Sequence, residues 1–302
     1  MEHLLSLADL TKEELIELLD LADQLKAEVK HKVFTKYLNN KTLAMIFTKS
    51  STRTRVSFEV GMEQLGGHAL YLNGNDMQLG RGEPIKDTAR VLSRYVDGIM
   101  IRTYAHSDVE ELAQYGSIPV INGLTDYVHP CQVLADLQTI REHKGSLEGL
   151  KMCFIGAGNN MANSLINGGI LAGMNVACAC PVEYLPDAKI CEKAQTTQRF
   201  LLTQDVYEAA RDADVVVSDV WASMGEEGEA SVRNKIFKGI YQINDSVMNV
   251  AKKDAMVLHC LPAHREEEIT EKVFEAHADE IFDEAENRLH AQKAVLVKLL
   301  MK

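Results

Sequence analysis

Short apolar runs and helically spaced apolar positions alternate along this chain. The runs at Thr42–Phe47 and Gly98–Arg102 are bounded by polar residues and are long enough for buried strands. Between them, Val56, Val60 and Leu65 recur close to the helical period until two glycines end the pattern. Strands that alternate with helices in this way predict parallel pairing in a doubly wound α/β sheet.

The same alternation continues through the rest of the chain. It predicts strands at 42–47, 68–72, 98–102, 118–121, 151–155, 175–179, 213–218 and 256–258, and helices at 5–30, 56–65, 86–95, 108–115, 159–171 and about 285–301. A polar, glycine-containing stretch at 142–149 is typical of a hinge. We therefore expect two doubly wound domains with parallel sheets, at 1–145 and 146–284, with a C-terminal helix of about 285–302 packing back on the first domain.

Charge and cysteine usage narrow the class of protein. The chain has 32 Lys and Arg against 44 Asp and Glu, a formal net charge of −12. This balance argues against nucleic acid or an anionic membrane as a partner. The six cysteines form no CxxC pair, and no apolar run approaches a membrane span. We expect no signal peptide before the first helix. We expect free thiols and a cytoplasmic protein.

A cluster of hydroxyl and guanidinium groups follows the first strand, at Ser51-Thr52-Arg53-Thr54-Arg55. A helix N-terminus has unpaired N–H groups and partial positive charge, and these side chains add further donors. An ordinary N-cap uses one hydroxyl, so the number of donors favours a phosphate site over a cap alone. The stretch lacks the glycine-rich pattern and the lysine of a P-loop, so a nucleoside triphosphate is not the first expectation.

Polar residues also follow the later strands of the first half. Arg102 ends one predicted strand, and His129, Pro130 and Gln132 open a helix after the next. Because the carboxyl ends of parallel strands lie at one edge of a sheet, we expect these side chains on the same side as the cluster at 51–55. A surface cap is the alternative for His129, but its Arg and Gln neighbours favour a polar ligand.

The turn Gly156-Ala157-Gly158 opens the second half and resembles the start of a dinucleotide fingerprint. The sixth position of that pattern is Met161 instead of glycine, and the next strand does not end in an acidic residue. Glu183 lies a few residues further on. A nicotinamide site is therefore disfavoured but stays open as an alternative.

Two further polar residues, Asp219 and Cys260, each follow a predicted strand. An acid at a strand end can hold an ammonium group, and the glycines and acids that come after it predict a mobile lid, with an ordinary acidic surface loop as the alternative. A lone cysteine after a strand is more often a core thiol.

These motifs occur in an order that resembles one family. Ser51-Thr52-Arg53-Thr54-Arg55, His129-Pro130-Cys131-Gln132, Asp219 with Ser223-Met224-Gly225, His259-Cys260-Leu261-Pro262 and Asp283-Glu284-Ala285-Glu286-Asn287-Arg288 together look like the carbamoyltransferases. The Ser-Met-Gly loop resembles the ornithine carbamoyltransferase branch more than the aspartate branch. The resemblance runs from about residue 43 to the C-terminus.

The resemblance implies a function and an assembly. It implies direct transfer of the carbamoyl group from carbamoyl phosphate to the δ-amine of L-ornithine through a tetrahedral intermediate, giving L-citrulline and phosphate within arginine biosynthesis. It also implies an active site in a cleft between two domains linked by interdomain helices, with no metal and no organic cofactor. Gln78 would reach into a neighbouring subunit's site, so the expected assembly is a homotrimer or a multiple of trimers.

The resemblance also implies the site residues. Those for carbamoyl phosphate are Ser51, Thr52, Arg53, Thr54, Gln78, Arg102, His129, Pro130, Cys131, Gln132, Cys260, Leu261 and Arg288. Those for ornithine are Asn160, Asp219, Ser223 and Met224. The catalytic residues are Arg102 and His129, at the carbamoyl oxygen where charge develops, and Asp219 and Cys260, which help the δ-ammonium lose its proton.

One departure from the family pattern is Ala157, where relatives usually carry an acidic residue.

Three rival functions are kept beside the leading one. The first is a carbamoyltransferase for another amine such as putrescine, against which the α-amino contacts at Asp219 and Ser223 argue. The second is a nicotinamide oxidoreductase built on Gly156-Ala157-Gly158, and the third is a binding module without turnover.

Overall fold

The computed structural model describes residues 1–222, 228 and 230–301. Its contacts divide the chain into two compact units. Unit 1 comprises Met1–Gln138 and Glu286–Lys302, and unit 2 comprises Thr139–Ala285. Ser223 and Met224, which the sequence analysis assigns to ornithine, lie outside the described residues.

Unit 1 is a parallel α/β unit. Its strands are β1 (Thr42–Phe47), β2 (His68–Asn73), β3 (Gly98–Arg102) and β4 (Val120–Leu124), and its helices are α1 (Lys12–Lys30), α2 (Thr52–Gln64), α3 (Ile85–Leu92) and α4 (His106–Tyr115). Two further helices, α5 (Pro130–Lys144) and α12 (Ala278–Leu300), cross the division between the units. The sheet has the order β2-β1-β3-β4, and its pairs are parallel.

The register of this sheet gathers four chain ends at one edge. Phe47 lies opposite both Asn73 and Arg102, and Arg102 lies opposite Leu124. The segments that leave these strands therefore start at one level of the sheet. The apolar core beside the sheet includes buried residues of β1, β3 and β4 and of α3 and α4.

Unit 2 is a second parallel α/β unit. Its strands are β5 (Lys151–Ile155), β6 (Asn175–Ala179), β7 (Phe200–Thr203), β8 (Val215–Ser218) and β9 (Met256–His259), and its helices are α6 (Asn160–Leu171), α7 (Ala188–Gln195), α8 (Val206–Ala210), α9 (Ala230–Phe237), α10 (Asp245–Met248) and α11 (Glu271–Ala276). The strand order is β7-β6-β5-β8-β9, again with parallel pairs. Two parallel-sheet units confirm the predicted fold class.

The register of unit 2 also brings its polar loops to one edge. Ser218 lies opposite Ile155 on one side and His259 on the other. The residues that follow these strands, which include Asp219 and Cys260, therefore leave the sheet side by side. The core of this unit is apolar and contains the buried rings of Trp221, Phe237 and Phe274.

Local capping explains where the first helix begins. The prediction that it starts at residue 5 is wrong: residues Leu7–Asp9 form a short 3-10 turn, and α1 starts at Lys12. Thr11 accepts a hydrogen bond from the Glu14 N–H while the Glu14 carboxylate accepts one from the Thr11 N–H. This capping box fixes the helix start.

Other boundaries also differ from the predictions. The last helix starts at Ala278 and not at the predicted residue 285. The prediction missed its first two turns because they are rich in acidic residues, although Ile281 and Glu284 in them are buried. A short 3-10 turn at Gln78–Arg81 lies between β2 and α3. The strand β7 was not predicted, because its apolar run at 200–202 is only three residues long and it lies at the sheet edge beside β6. Among the described residues, no helix combines the length and the apolarity needed to cross a bilayer.

Candidate active site

The N-terminus of α2 lies where β1 leaves its sheet. Ser51 is the N-cap residue, and its hydroxyl accepts a hydrogen bond from the Thr54 N–H at 3.2 Å. No acidic residue occupies the first turn of this helix. Thr52 and Arg53 are exposed, whereas Thr54 is buried. The helix end therefore presents donors and positive charge with no carboxylate of its own first turn to neutralise them.

Arg55 is engaged away from this helix end. Its Nε donates to Glu59 Oε1 at 3.0 Å, and its guanidinium lies 3.7 Å from the centre of the Tyr71 ring. Arg55 is therefore paired away from the helix end, and the assignment of Arg53 to the anion site stays a prediction.

Arg288 joins the α2 terminus to α5. Its Nη1 donates to Gln132 Oε1 at 2.7 Å, and its Nη2 donates to Thr54 Oγ1 at 3.2 Å. Arg288, Gln132 and Thr54 are all at most 3% exposed. Both acceptors are neutral oxygens, so neither of these two hydrogen bonds offsets the positive charge of the guanidinium.

His129 lies in the same buried region, directly before α5. Burial lowers its pKa well below 6.5, and the positive charges of Arg288, Arg102 and Arg53 lower it further. Arg102, at the end of β3, is also buried. The imidazole is therefore neutral at ordinary pH and acts as a hydrogen-bond donor or acceptor, not as a cation. We call Ser51, Thr54, Arg102, His129, Gln132 and Arg288 the unit 1 cluster.

Three other predicted site residues of unit 1 are not members of the unit 1 cluster. Pro130 is the first residue of α5, and the buried Cys131 thiol donates to the Asn122 carbonyl at 3.4 Å. Burial raises the pKa of Cys131 to about 12, so this side chain belongs to the core. Gln78 is exposed on its 3-10 turn. Within the described part of the chain, its side chain makes no hydrogen bond to the unit 1 cluster.

A lysine contact that the sequence analysis missed ties two site loops together. The buried Lys49, just before Ser51, forms an ion pair with Asp126 in the loop before His129. Its ammonium also lies 4.3 Å from the centre of the Tyr104 ring. The lysine immediately upstream of the hydroxyl cluster was the available signal.

In unit 2, the Asp219 carboxylate accepts hydrogen bonds on both of its oxygens. Asn159 Nδ2 donates to its Oδ2 at 2.7 Å, and the Val220 N–H and Cys260 Sγ donate to its Oδ1 at 2.8 and 3.2 Å. Asp219 is 8% exposed. We call Asn159, Asp219 and Cys260 the Asp219 cluster. It places a fixed carboxylate next to a thiol at the sheet edge.

Asn159 was not predicted as a site residue, although it precedes the predicted Asn160. Its Oδ1 caps α6 by accepting from the N–H groups of Met161 and Ala162, at 2.9 and 3.2 Å. Its Nδ2 is the group that holds Asp219. Asn160, the first residue of α6, is buried.

The glycine turn between β5 and α6 packs against the loop that follows β6. The Gly158 N–H donates to the Tyr184 carbonyl at 2.8 Å, and a Cβ on Gly158 would lie 2.2 Å or less from main-chain atoms of Leu185 and Pro186. The main chain of this loop thus packs directly against the turn, where a dinucleotide fold needs the glycine main chain to approach a pyrophosphate. With Asn159 capping the helix, this geometry disfavours the nicotinamide alternative. Ala157 is buried in the apolar cluster of this unit.

The segment after β9 is held by His259. Its Nδ1 accepts from the Leu261 N–H at 3.0 Å, and its Nε2 lies 3.0 Å from Glu268 Oε1. Leu261 has a φ of 58°, a left-handed conformation that costs free energy in a branched residue. The two contacts of His259 stabilise this conformation and so fix the main chain at Cys260 and Leu261.

Trp221 belongs to the core of unit 2. Its Nε1 donates to the Tyr241 carbonyl at 3.2 Å, its ring stacks on Phe237 at 5.7 Å, and it is 2% exposed. The Arg233 guanidinium donates to the Trp221 carbonyl at 2.8 Å. The predicted lid begins after this anchored residue, and most of it lies outside the described residues.

One group of residues has metal-ligating atoms close together, among the described residues. These atoms of His264, Glu267 and Glu268 lie within 4.8 Å of one another. Glu268 Oε1 already accepts from the His264 N–H at 2.6 Å and contacts His259. This group is explained by the packing around His259, and it supports no metal site.

Comparison with known proteins identifies the family to which both halves of the chain are similar. The model of the aspartate/ornithine carbamoyltransferase carbamoyl-P binding domain matches residues 2–142, and that of the Asp/Orn binding domain matches residues 148–299. The ornithine carbamoyltransferase of Carboxydothermus hydrogenoformans is 58% identical over 301 residues, covering 98% of this chain and 96% of that protein. The one from Archaeoglobus fulgidus is 54% identical over 303 residues, covering 100% of this chain and 98% of that protein.

Solved structures give the same result. The ornithine carbamoyltransferase from Pyrococcus furiosus has a TM-score of 0.94 and 52% identity, covering 99% of this chain and 97% of that one. The anabolic ornithine carbamoyltransferase from Campylobacter jejuni has a TM-score of 0.92 and 45% identity, with 99% of both chains covered.

Proposed function

Since the chain belongs to the aspartate/ornithine carbamoyltransferase family, we propose that it transfers the carbamoyl group of carbamoyl phosphate to the δ-amine of L-ornithine. The neutral amine attacks the carbamoyl carbon, a tetrahedral intermediate forms, and the carbon–oxygen bond to phosphate breaks. The attacking nitrogen passes its surplus proton to the departing phosphate, and the products are L-citrulline and inorganic phosphate. Citrulline formation is a step of arginine metabolism.

The observation that carries this proposal is the guanidinium of Arg288, held between Thr54 and Gln132 beside the α2 N-terminus. Carbamoyl phosphate is a small dianion, and this arrangement offers it buried positive charge together with hydroxyl donors. We assign its phosphate to Ser51, Thr52, Arg53 and Thr54, with Arg288 as the buried cation.

The carbamoyl group is assigned to the remaining groups of the site. Arg102 and the N–H of the neutral His129 contact its oxygen, where negative charge develops in the transition state, so these two donors lower the barrier. Gln132 and the main-chain carbonyls of Cys260 and Leu261 accept from its NH₂ group. Pro130 and Cys131 complete the set through the main chain at the start of α5.

Ornithine is assigned to unit 2. Asn160 contacts its carboxylate, and Asp219, Ser223 and the main chain of Met224 contact its α-amino group. Asp219 supports this assignment because its carboxylate is held in place by Asn159, Val220 and Cys260. The reaction requires both ligands to be bound together, with the δ-nitrogen within reach of the carbamoyl carbon.

The δ-amine must lose a proton before it attacks, because an alkyl ammonium has a pKa near ~10.4 and only the neutral amine is a nucleophile. Asp219 and Cys260 are assigned to this step, since the Cys260 thiol lies 3.2 Å from Asp219 Oδ1. Cys260 handles charge and protons in this mechanism and forms no covalent intermediate. No step calls for a metal or an organic cofactor.

A homotrimer and a cytoplasmic location are also part of the proposal. The exposed Gln78 makes no hydrogen bond to the unit 1 cluster of its own chain, as far as the described residues go, and so suits a role in the site of a neighbouring subunit. All six cysteines are free thiols, which fits a reducing compartment.

The test is a citrulline colour assay run with carbamoyl phosphate and, in parallel, ornithine, putrescine and aspartate. Of the three acceptors, we expect only ornithine to give colour, together with an equimolar release of phosphate. Colour with putrescine but not with ornithine would show that the acceptor is a different amine from the one proposed. No phosphate release with any acceptor would overturn it.

A further inference from the structure

Asp136 is a fully buried carboxylate one turn beyond Gln132 on α5. Its Oδ1 accepts a hydrogen bond from Gln132 Nε2 at 2.8 Å. Positions four residues apart share one face of a helix, so the contact is built into the sequence spacing. The proposed function gives Asp136 no role.

The two partners of Gln132 select one orientation of its amide. The oxygen and the NH₂ group of an amide exchange places when the side chain turns by half a rotation. A guanidinium can only donate, and a carboxylate can only accept. Arg288 on one side and Asp136 on the other therefore hold Oε1 toward Arg288 and Nε2 toward Asp136.

This orientation matters for the ligand. A carbonyl oxygen has two lone pairs, so Gln132 Oε1 can accept from Arg288 and also from the NH₂ group of a carbamoyl ligand. In the reversed orientation, the Gln132 NH₂ group would face two sets of donors, and both interactions would be lost. The direction of one amide thus decides whether Arg288 and the carbamoyl group are both satisfied.

We propose that Asp136 is a positioning residue for carbamoyl phosphate: by accepting from Nε2 of Gln132, it fixes the acceptor oxygen of that amide toward the ligand and toward Arg288. The inference rests on the proposed function, because it takes carbamoyl phosphate as the ligand of the unit 1 cluster. The alternative is that Asp136 only balances the positive charge of Arg288, Arg102 and Arg53.

An exchange of the two side chains tests whether a donor–acceptor pair at these positions is required. The inhibition constant of inorganic phosphate then separates positioning from charge balance, because a loss of charge balance would change the binding of both anions alike. Gln132→Glu places a second carboxylate against Asp136 and removes the donor between them. Adding Asp136→Asn to it restores one donor and one acceptor with the direction of their hydrogen bond reversed: the new amide at position 136 donates to the new carboxylate at position 132, and that carboxylate also accepts from Arg288. The double variant has the same net charge as the wild type.

The measurement is the KM for carbamoyl phosphate, beside the KM for ornithine and the inhibition constant of inorganic phosphate. We expect Asp136→Asn to raise the KM for carbamoyl phosphate by about tenfold or more. The inhibition constant of phosphate should change less, because phosphate has no NH₂ group to meet Gln132. The double variant should recover at least a large part of the loss seen in Gln132→Glu.

Two results would overturn the inference. One is an unchanged KM for carbamoyl phosphate in Asp136→Asn, and the other is a double variant whose loss is the product of the two single losses. If Asp136→Asn alone does not fold, as judged by circular dichroism, the comparison of Gln132→Glu with the double variant still decides. A wild-type protein that forms no citrulline would instead refute the proposed function.

Discussion

The thiol of Cys260 donates to Oδ1 of Asp219 at 3.2 Å, across 41 residues of chain. The two residues follow neighbouring parallel strands, β9 and β8, whose register pairs Ser218 with His259. The contact is therefore a product of sheet register. It connects the thiol with the carboxylate that we assign to the ammonium groups of ornithine.

The first prediction concerns this pair. Asp219→Asn keeps the shape but loses the negative charge, so kcat should fall on the order of 10²-fold or more. Cys260→Ser should mainly lower kcat, by roughly tenfold, because it changes the length and strength of the contact to Asp219. Steady-state kinetics with both substrates would measure these changes.

The control for the Cys260 variant is Cys191→Ala, which removes a thiol from α7. Its kcat should equal that of the wild type. A Cys260→Ser protein with normal kcat but no ornithine binding would contradict the role assigned to the thiol.

The second prediction uses two arginines that lie two residues apart on α2. Arg53→Ala should raise the KM for carbamoyl phosphate about 10- to 100-fold, since it removes a charged donor from the phosphate site. Arg55→Ala should change that KM by less than about threefold, because Arg55 is exposed and paired with Glu59. Equal effects of the two substitutions would show that the phosphate is not bound as we assign it.

The third prediction concerns the protonation of His129. Burial and three arginines hold its pKa well below 6.5. Its ring resonance in a proton NMR titration, assigned through His129→Asn, should therefore show no titration step between about pH 6 and 8. A midpoint near 6.5 would contradict a neutral imidazole at the carbamoyl oxygen.

The same shift has a consequence for stability. The unfolded chain takes up a proton at His129 near pH ~6.5, whereas the folded chain does so only at lower pH. The unfolded state therefore binds more protons in the acid range. The contribution of His129 to the free energy of unfolding should decrease as the pH falls below about 6.5, and thermal midpoints should show a weaker acid dependence in His129→Asn.

The fourth prediction concerns the glycine turn. A Cβ on Gly158 would lie 2.1 Å from the nitrogen of Pro186, so Gly158→Ala must displace main chain. We expect a loss of about 1–3 kcal/mol in the free energy of unfolding, together with a higher KM for ornithine. Gly228→Ala is the control for stability, since no atom of the described residues lies within 4 Å of the added Cβ. Gly158→Ala with an unchanged melting temperature would show that the loop from Tyr184 to Pro186 yields easily.

Much of the fold followed from apolar patterning. The strands at Thr42–Phe47, Gly98–Arg102, Lys151–Ile155 and Asn175–Ala179 have the predicted bounds, because a buried parallel strand is a continuous apolar run with polar ends. The starts of α1 and α12 were misplaced, since caps and acidic first turns decide them.

The candidate site was predictable only as a set of residue types. The sequence order of the motifs indicated Thr54, Gln132 and Arg288, but no local pattern shows that Arg288 bonds to a side chain 156 residues earlier. Asn159 and Asp136 were missed because each acts through a hydrogen bond to another site residue, to Asp219 and to Gln132 respectively. The spacing of four residues between Gln132 and Asp136 was the one signal available in advance.

The position of Arg288 on α12 has a consequence for biosynthesis. Thr54 leaves the ribosome long before Arg288, which follows it by 234 residues. The nascent chain can fold its first sheet early, but its buried guanidinium arrives only when translation is almost complete. The carbamoyl phosphate site that we assign to unit 1 is therefore completed only after almost the whole polypeptide has been synthesised.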